Sequence, residues 1–303
     1  MGLLTSPINL TTTQVVGGLL PQLLASMKKK GNFLTKLFDD GHLIWLFIIP
    51  STIMLALFAL PLYALVVRSI KAGFFNYAFS EQAFAALKLS LLTSTITTAV
   101  TILFGTTLAY MLARWKFRFR SWIELLIDLP IVLPPSVAGL VLLMAFGRRG
   151  IFGGELSALG ISLPFTTAAV IIAQMFVASP FYIRSARIGF RTIDRQLEEA
   201  ANVEGANQWQ VFTEVMIPLA GSALISGTIL TWTRALGEFG ATILFAGNLE
   251  GVTQTMPMAI YLGFERNLGV ALALSVMLVV VSMLLLGLTR KLEKSEEHHT
   301  SIG

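Results

Sequence analysis

Chemistry-bearing side chains are concentrated in three places along the chain. The segment LEEAANVEGANQWQVFTEVMIP (197–218) carries four carboxylates, Glu198, Glu199, Glu204 and Glu214, around two adjacent alanines and a glycine. A run between residues 89 and 113 carries Ser90, Thr93, Ser94, Thr95, Thr97, Thr98, Thr101, Thr106 and Thr107, all hydrogen-bond donors without charge. Arg234 and Glu238 lie four apart, a spacing that places them on one helical face as an ion pair. His298 and His299 close the chain in EKSEEHHTSIG, where a pair of histidines reads as a solvated tail rather than a metal site. No cysteine is present, which excludes disulfides and thiolate metal ligands. The apolar runs show neither a nucleophile–base pair nor a cluster of metal ligands, which argues against a membrane-embedded enzyme.

The elements that must hold these residues are apolar. Of 303 residues 55% are hydrophobic and 13% charged, about half the charge of a soluble domain, and the mean hydropathy is +0.75. The net charge of +5 is dispersed between apolar runs, which disfavours nucleic acid as a partner and fits a lipid bilayer. A spanning helix needs about 20 mostly apolar residues. Six runs meet this: 44–67, 89–113, 122–146, 166–183, 217–246 and 269–289. The fifth is long enough to tilt or break. Residues 1–41 read as a cytoplasmic extension and 291–303 as a cytoplasmic tail, with 42–290 as the membrane domain.

Lys and Arg set the orientation. The N-terminal arm, 114–121, 184–214 and the tail counted from Arg290 hold 4, 4, 4 and 3 of them, whereas the alternate loops 68–88, 147–165 and 247–268 hold 3, 2 and 1. Positive loops stay inside, so both termini and the acidic insert are expected in the cytoplasm. Arg148 and Arg149 are an exception to the pattern.

Within the insert, Asp194 is placed to cap a helix in which Glu198 and Glu199 come early enough to favour the positive end of its dipole. Gly205 interrupts it. Asn207 with Gln210 forms a second capping signal, and Trp209, Phe212, Val215 and Met216 form the expected stripe of a second short helix. An amphipathic loop lying on lipid is the plain alternative, but such helices favour Lys and Arg, and 196–218 contains none. Adjacent alanines permit close approach of another protein's backbone. A docking knob results.

The pattern Glu199-Ala200-Ala201, three residues, Gly205, nine residues, Val215-Met216-Ile217-Pro218 resembles the EAA motif of binding-protein-dependent ABC transporter permeases. DLPIVLPPSVAGL (128–140) and TRALGEFGATILFAGNLEGVTQTMPMAIY (233–261) resemble the molybdate and tungstate permease subunits, with sulfate permeases as near relatives. The resemblance covers about 44–290. It implies an all-α polytopic fold of six transmembrane helices with a cytoplasmic coupling helix within 192–216. It also implies a prokaryotic plasma-membrane homodimer, two copies of an ATP-binding ABC subunit and an extracytoplasmic molybdate-binding protein.

On that resemblance, Glu199, Ala200, Ala201 and Gly205 dock the ATPase. The chain itself carries no GxxxxGK[ST] phosphate loop, so ATP hydrolysis is expected on the partner, and this subunit is expected to be neither an enzyme nor a cofactor carrier. Neutral hydroxyls suit passage of an oxyanion, since a strong cationic site would trap a dianion. Thr97, Thr101, Arg234 and Glu238 are the candidate pathway or gate residues. Back-bonded hydroxyls and a packing ion pair are the plain alternatives. Sixteen residues of helix beyond Pro218 would carry Arg234 about 24 Å along one axis. Sulfate or thiosulfate permeation is the alternative within the class, and an ion-coupled secondary transporter the alternative outside it.

Overall fold

The computed structural model describes residues 42–300, with side chains from 45 to 284 and at 286 and 287. The expected extension 1–41 and the side chains of His298 and His299 lie outside the described residues. The chain divides into two units, Met1–Ala64 and Leu65–Gly303. The described part of the first is the leading portion of α1 (His42–Lys71), an apolar helix with Pro50 and Pro61 inside it. Its large side chains, among them Trp45, Phe47, Leu55 and Phe58, are exposed, the condition of a helix whose solvent is hydrocarbon.

The second unit contains α2 (Phe74–Ala78), α3 (Glu81–Arg114), α4 (Arg120–Val132), α5 (Pro135–Phe146), α6 (Gly153–Ala158), α7 (Thr167–Thr192), α8 (Arg195–Val203), α9 (Gln208–Leu219), α10 (Gly221–Leu236), α11 (Gly240–Phe245), α12 (Met256–Arg266) and α13 (Leu268–Thr300). No strand occurs among the described residues. Ser80 opens α3 by accepting the Ala83 N–H at 3.3 Å, and Thr166 opens α7 by accepting the Ala169 N–H at 3.2 Å. Each hydroxyl satisfies an amide that the first helical turn leaves unpaired.

α7 packs lengthwise against both α3 and α10. Small residues make this possible. A Cβ on Gly189 would stand 2.5 Å from the Ala223 Cβ, and one on Gly227 would stand 2.9 Å from the Ser185 Cβ. Without a hydrophobic effect to press helices together in lipid, such close backbone contact supplies the dispersion attraction that does.

Three helices are long and apolar enough to cross a membrane, α1 from Trp45, α3 and α7, and two bent pairs raise the number to at most five. The expected span 122–146 is the pair α4–α5, bent by 119°. Leu133 and Pro134 are extended, with ψ near 136°. A residue before proline is biased away from helical geometry, and Pro135 then begins α5 where its missing N–H costs nothing.

The expected span 217–246 is likewise not one helix. α9 and α10 meet at 73°, α10 ends at Leu236, and the short α11 follows after Gly237-Glu238-Phe239. The axis carrying Arg234 therefore starts at Gly221 rather than Pro218, about 20 Å away at the helical rise. The sixth expected span falls on α13, whose described apolar stretch, Leu268–Leu284, is shorter than a span.

Candidate functional site

The acidic insert folds as two capped pieces joined at Gly205. Asp194 Oδ1 accepts the Gln196 N–H at 3.0 Å and starts α8. α8 ends with the Ala206 N–H on the Ala201 carbonyl (3.0 Å) and the Gly205 N–H on the Asn202 carbonyl (3.1 Å). This is a left-handed helix stop, and Gly205 supplies it with a φ of +91°. Asn207 and Gln210 then cap reciprocally, each side chain to the other's backbone at 2.9 Å. Both expected caps and the expected break are present.

The expected apolar stripe of the second helix holds at Phe212, Val215 and Met216 and fails at Trp209. Residues 211–216 form a π-helical turn, so Val211 and Met216, five apart, point the same way and are both buried. Trp209 is instead 68% exposed. The wider turn advances the facing side by one residue. Phe212 is half-buried, its ring centroid 4.9 Å from that of Tyr110 and 6.3 Å from that of Phe190. α9 is thus rooted in apolar core with Ala109, Leu112, Tyr182 and Phe190.

α8 is held differently, since none of its residues is fully buried. Ala201 rests on the core behind it. Glu198 forms an ion pair at 2.7 Å with Arg114, the last residue of α3, and both side chains are largely buried. Arg114 Nη2 also donates to the Ile193 carbonyl at 2.9 Å. The opposite face is open: Glu199, Ala200, Glu204 and Gly205 are exposed, as are Leu197 and Val203, the latter 86%. Of the four candidate docking residues, Glu199, Ala200 and Gly205 therefore lie at the surface and Ala201 faces the bundle. A cleft of about 200 Å³ lies beside them, bounded by Tyr110, Arg114, Arg195, Glu199 and Gln208. The 84-residue separation of Arg114 and Glu198 leaves no local signal in the sequence.

The candidate pathway residues occupy two other places. Thr97 is fully buried, with its hydroxyl 3.1 Å from Gln174 Oε1 and 3.3 Å from the Ile171 carbonyl, both on α7. Thr101 is 3% exposed, and neither its hydroxyl nor the Gln174 amide nitrogen has a hydrogen-bond partner. Several neighbouring hydroxyls bond backward to their own helix, as Thr98 does to Ser94 and Thr106 to Ile102. Gln174, which sequence spacing does not single out, is the polar centre of this region. Thr106 also meets the Tyr182 hydroxyl at 2.6 Å.

Arg234 and Glu238 do pair, at 2.6 Å, with Glu238 nearly sealed from solvent and the Arg234 side chain 29% exposed. Glu238 Oε1 also accepts the Ala241 N–H at 2.8 Å. The carboxylate thus ties the end of α10 to the start of α11 across the helix break. On the same unit, Glu124 joins Arg120 (2.9 Å) to Arg187 of α7 (3.0 Å).

The family described as "Binding-protein-dependent transport system inner membrane component" matches residues 101–297. The molybdenum transport system permease protein ModB of Mycobacterium tuberculosis is 40% identical over 240 residues, covering 79% of this chain and 90% of that protein. The sulfate transport system permease protein CysT of Escherichia coli is 33% identical over 231 residues, covering 75% and 83%. Among solved structures, a bacterial ABC transporter involved in import of the acidic polysaccharide alginate superposes with a TM-score of 0.68 at 16% identity, covering 90% of this chain and 99% of that one. The fold is shared. By sequence and by architecture, the chain belongs to the binding-protein-dependent transport system inner membrane components, the permeases of ABC importers.

Proposed function

We propose that the chain is the permease of an ATP-driven molybdate importer, working as a homodimer with two ATPase subunits and an extracytoplasmic binding protein. The observation that carries the coupling half of this reading is the capped α8–α9 knob. It presents a small, acidic face outward and is anchored from behind. A water-exposed helix showing Glu199, Ala200 and Val203 to solvent has no reason to keep Arg114 and Glu198 paired beneath it unless its position matters. With the basic loops inside, the knob lies in the cytoplasm beside the ATPase. Closure of the ATPases would draw the knob and rock the bundle between inward-open and outward-open states.

The substrate half is supported by molybdenum permeases at 40% and, in Escherichia coli, 34% identity, beside 33% for the sulfate permease of Escherichia coli. Molybdate and sulfate are both tetrahedral dianions, so hydroxyl and amide donors would serve either. Uptake of labelled molybdate by the complete complex, measured against a hundredfold excess of sulfate, is expected to fall less than twofold. Equal competition per mole would move the assignment to the sulfate branch. The Arg234–Glu238 pair and the Thr97–Thr101–Gln174 cluster are proposed as the parts that rearrange during passage.

A further inference from the structure

The docking reading leaves open how motion of α8 reaches the membrane helices. α9 enters the core through Val211, Met216 and Phe212. α8, which carries the docking face, has no fully buried residue, so apolar packing grips it weakly. Its polar ties gather at the end of α3, above all on Arg114. Arg114 forms an ion pair with Glu198, Nε to Oε1 at 2.7 Å, a contact of charges in which the N–H is not aimed at the oxygen. Through Nη2 it bonds the Ile193 carbonyl at 2.9 Å, in the link between α7 and α8, and approaches Met216 Sδ of α9 at 3.8 Å. The Arg114 carbonyl in turn accepts from Arg195 Nη2 at 3.3 Å. Four attachments from α8, α9 and the preceding link thus converge on the final residue of α3, a helix of 34 residues. A planar guanidinium with several donors in fixed directions is suited to such a junction, whereas a lysine would reach one partner at a time.

We infer that Arg114 is a positioning residue that transmits displacement of the docking helix to α3, so that α3, and not only the covalently linked α7 and α10, carries the power stroke. The inference rests on the docking reading. Because the chain has no cysteine, the double variant R114C/E198C can be made with thiols at those two positions alone. It is assembled with the ATPase and binding protein in proteoliposomes. Expected is retained ATPase co-purification, molybdate transported per ATP lowered about tenfold, and recovery of at least half of that ratio when a short bifunctional thiol reagent bridges the two positions. An unchanged ratio in the unbridged variant overturns the inference. So does a ratio that stays low after bridging is verified on gels. Loss of co-purification overturns it as well, because Arg114 would then shape the knob rather than transmit from it. Failure of the docking reading is seen separately, in exposed-face positions of the native chain that make no contact with the ATPase.

Discussion

Replacing Glu238 with alanine is expected to lower the stability of the permease by about 3 kcal/mol, near the lower end for breaking a buried ion pair. Two losses add. The Ala241 N–H, which Glu238 Oε1 accepts at 2.8 Å, is left inside without an acceptor, and an orphaned buried amide costs about 1–3 kcal/mol. Arg234 loses its partner too, but at 29% exposure solvent relieves part of that loss. E238Q retains an oxygen for Ala241 and is expected to cost roughly half as much. Thermal unfolding of the detergent-solubilised protein orders the variants as wild type, E238Q, E238A. If E238A unfolds with the wild type, Glu238 is not the tie across the α10–α11 break.

Gly205→Val is expected to uncouple the permease with little effect on its core. At φ +91° a β-branched residue is strained by about 2 kcal/mol, while open space around the position removes any steric clash from the account. The turn between α8 and α9 would adopt its present shape roughly thirtyfold less often at that cost. Substrate-stimulated ATP hydrolysis is expected to fall in proportion, with unfolding temperature little changed. G205N, which tolerates left-handed backbone, is expected to retain most of the activity. Equal behaviour of the valine and asparagine variants would remove backbone geometry from the explanation.

The parts that were legible in the sequence are those governed by near neighbours. Asp194, the Asn207–Gln210 box and the Gly205 break are local grammar, and each stands where its spacing places it. The Arg234–Glu238 pair expected from helical periodicity forms, although Glu238 stands beyond the end of α10, in the break rather than on the helical face. Hydropathy locates the apolar runs but not their bends. Pro134 and Pro135 give a reason for the 119° turn, but nothing in the composition distinguishes it from the tolerated prolines of α1. The π turn was hidden for a related reason: it sets Val211, five residues before Met216, on the buried side without changing the composition. Arg114–Glu198 and Thr97–Gln174 join residues more than seventy positions apart. Only the packing of α3 against α7 and the fold of the insert bring them together.

The central claim is that the open face of α8 is where a separate ATPase grips this chain. A photoreactive amino acid placed in turn at Ala200, Ala201 and Val203 of the assembled importer measures this directly. Ala200 and Val203 point to solvent and Ala201 to the core. The account predicts adducts with the ATPase subunit from positions 200 and 203 and none from 201. Absence of ATPase adducts from both outward positions, in a complex that still transports, would contradict it.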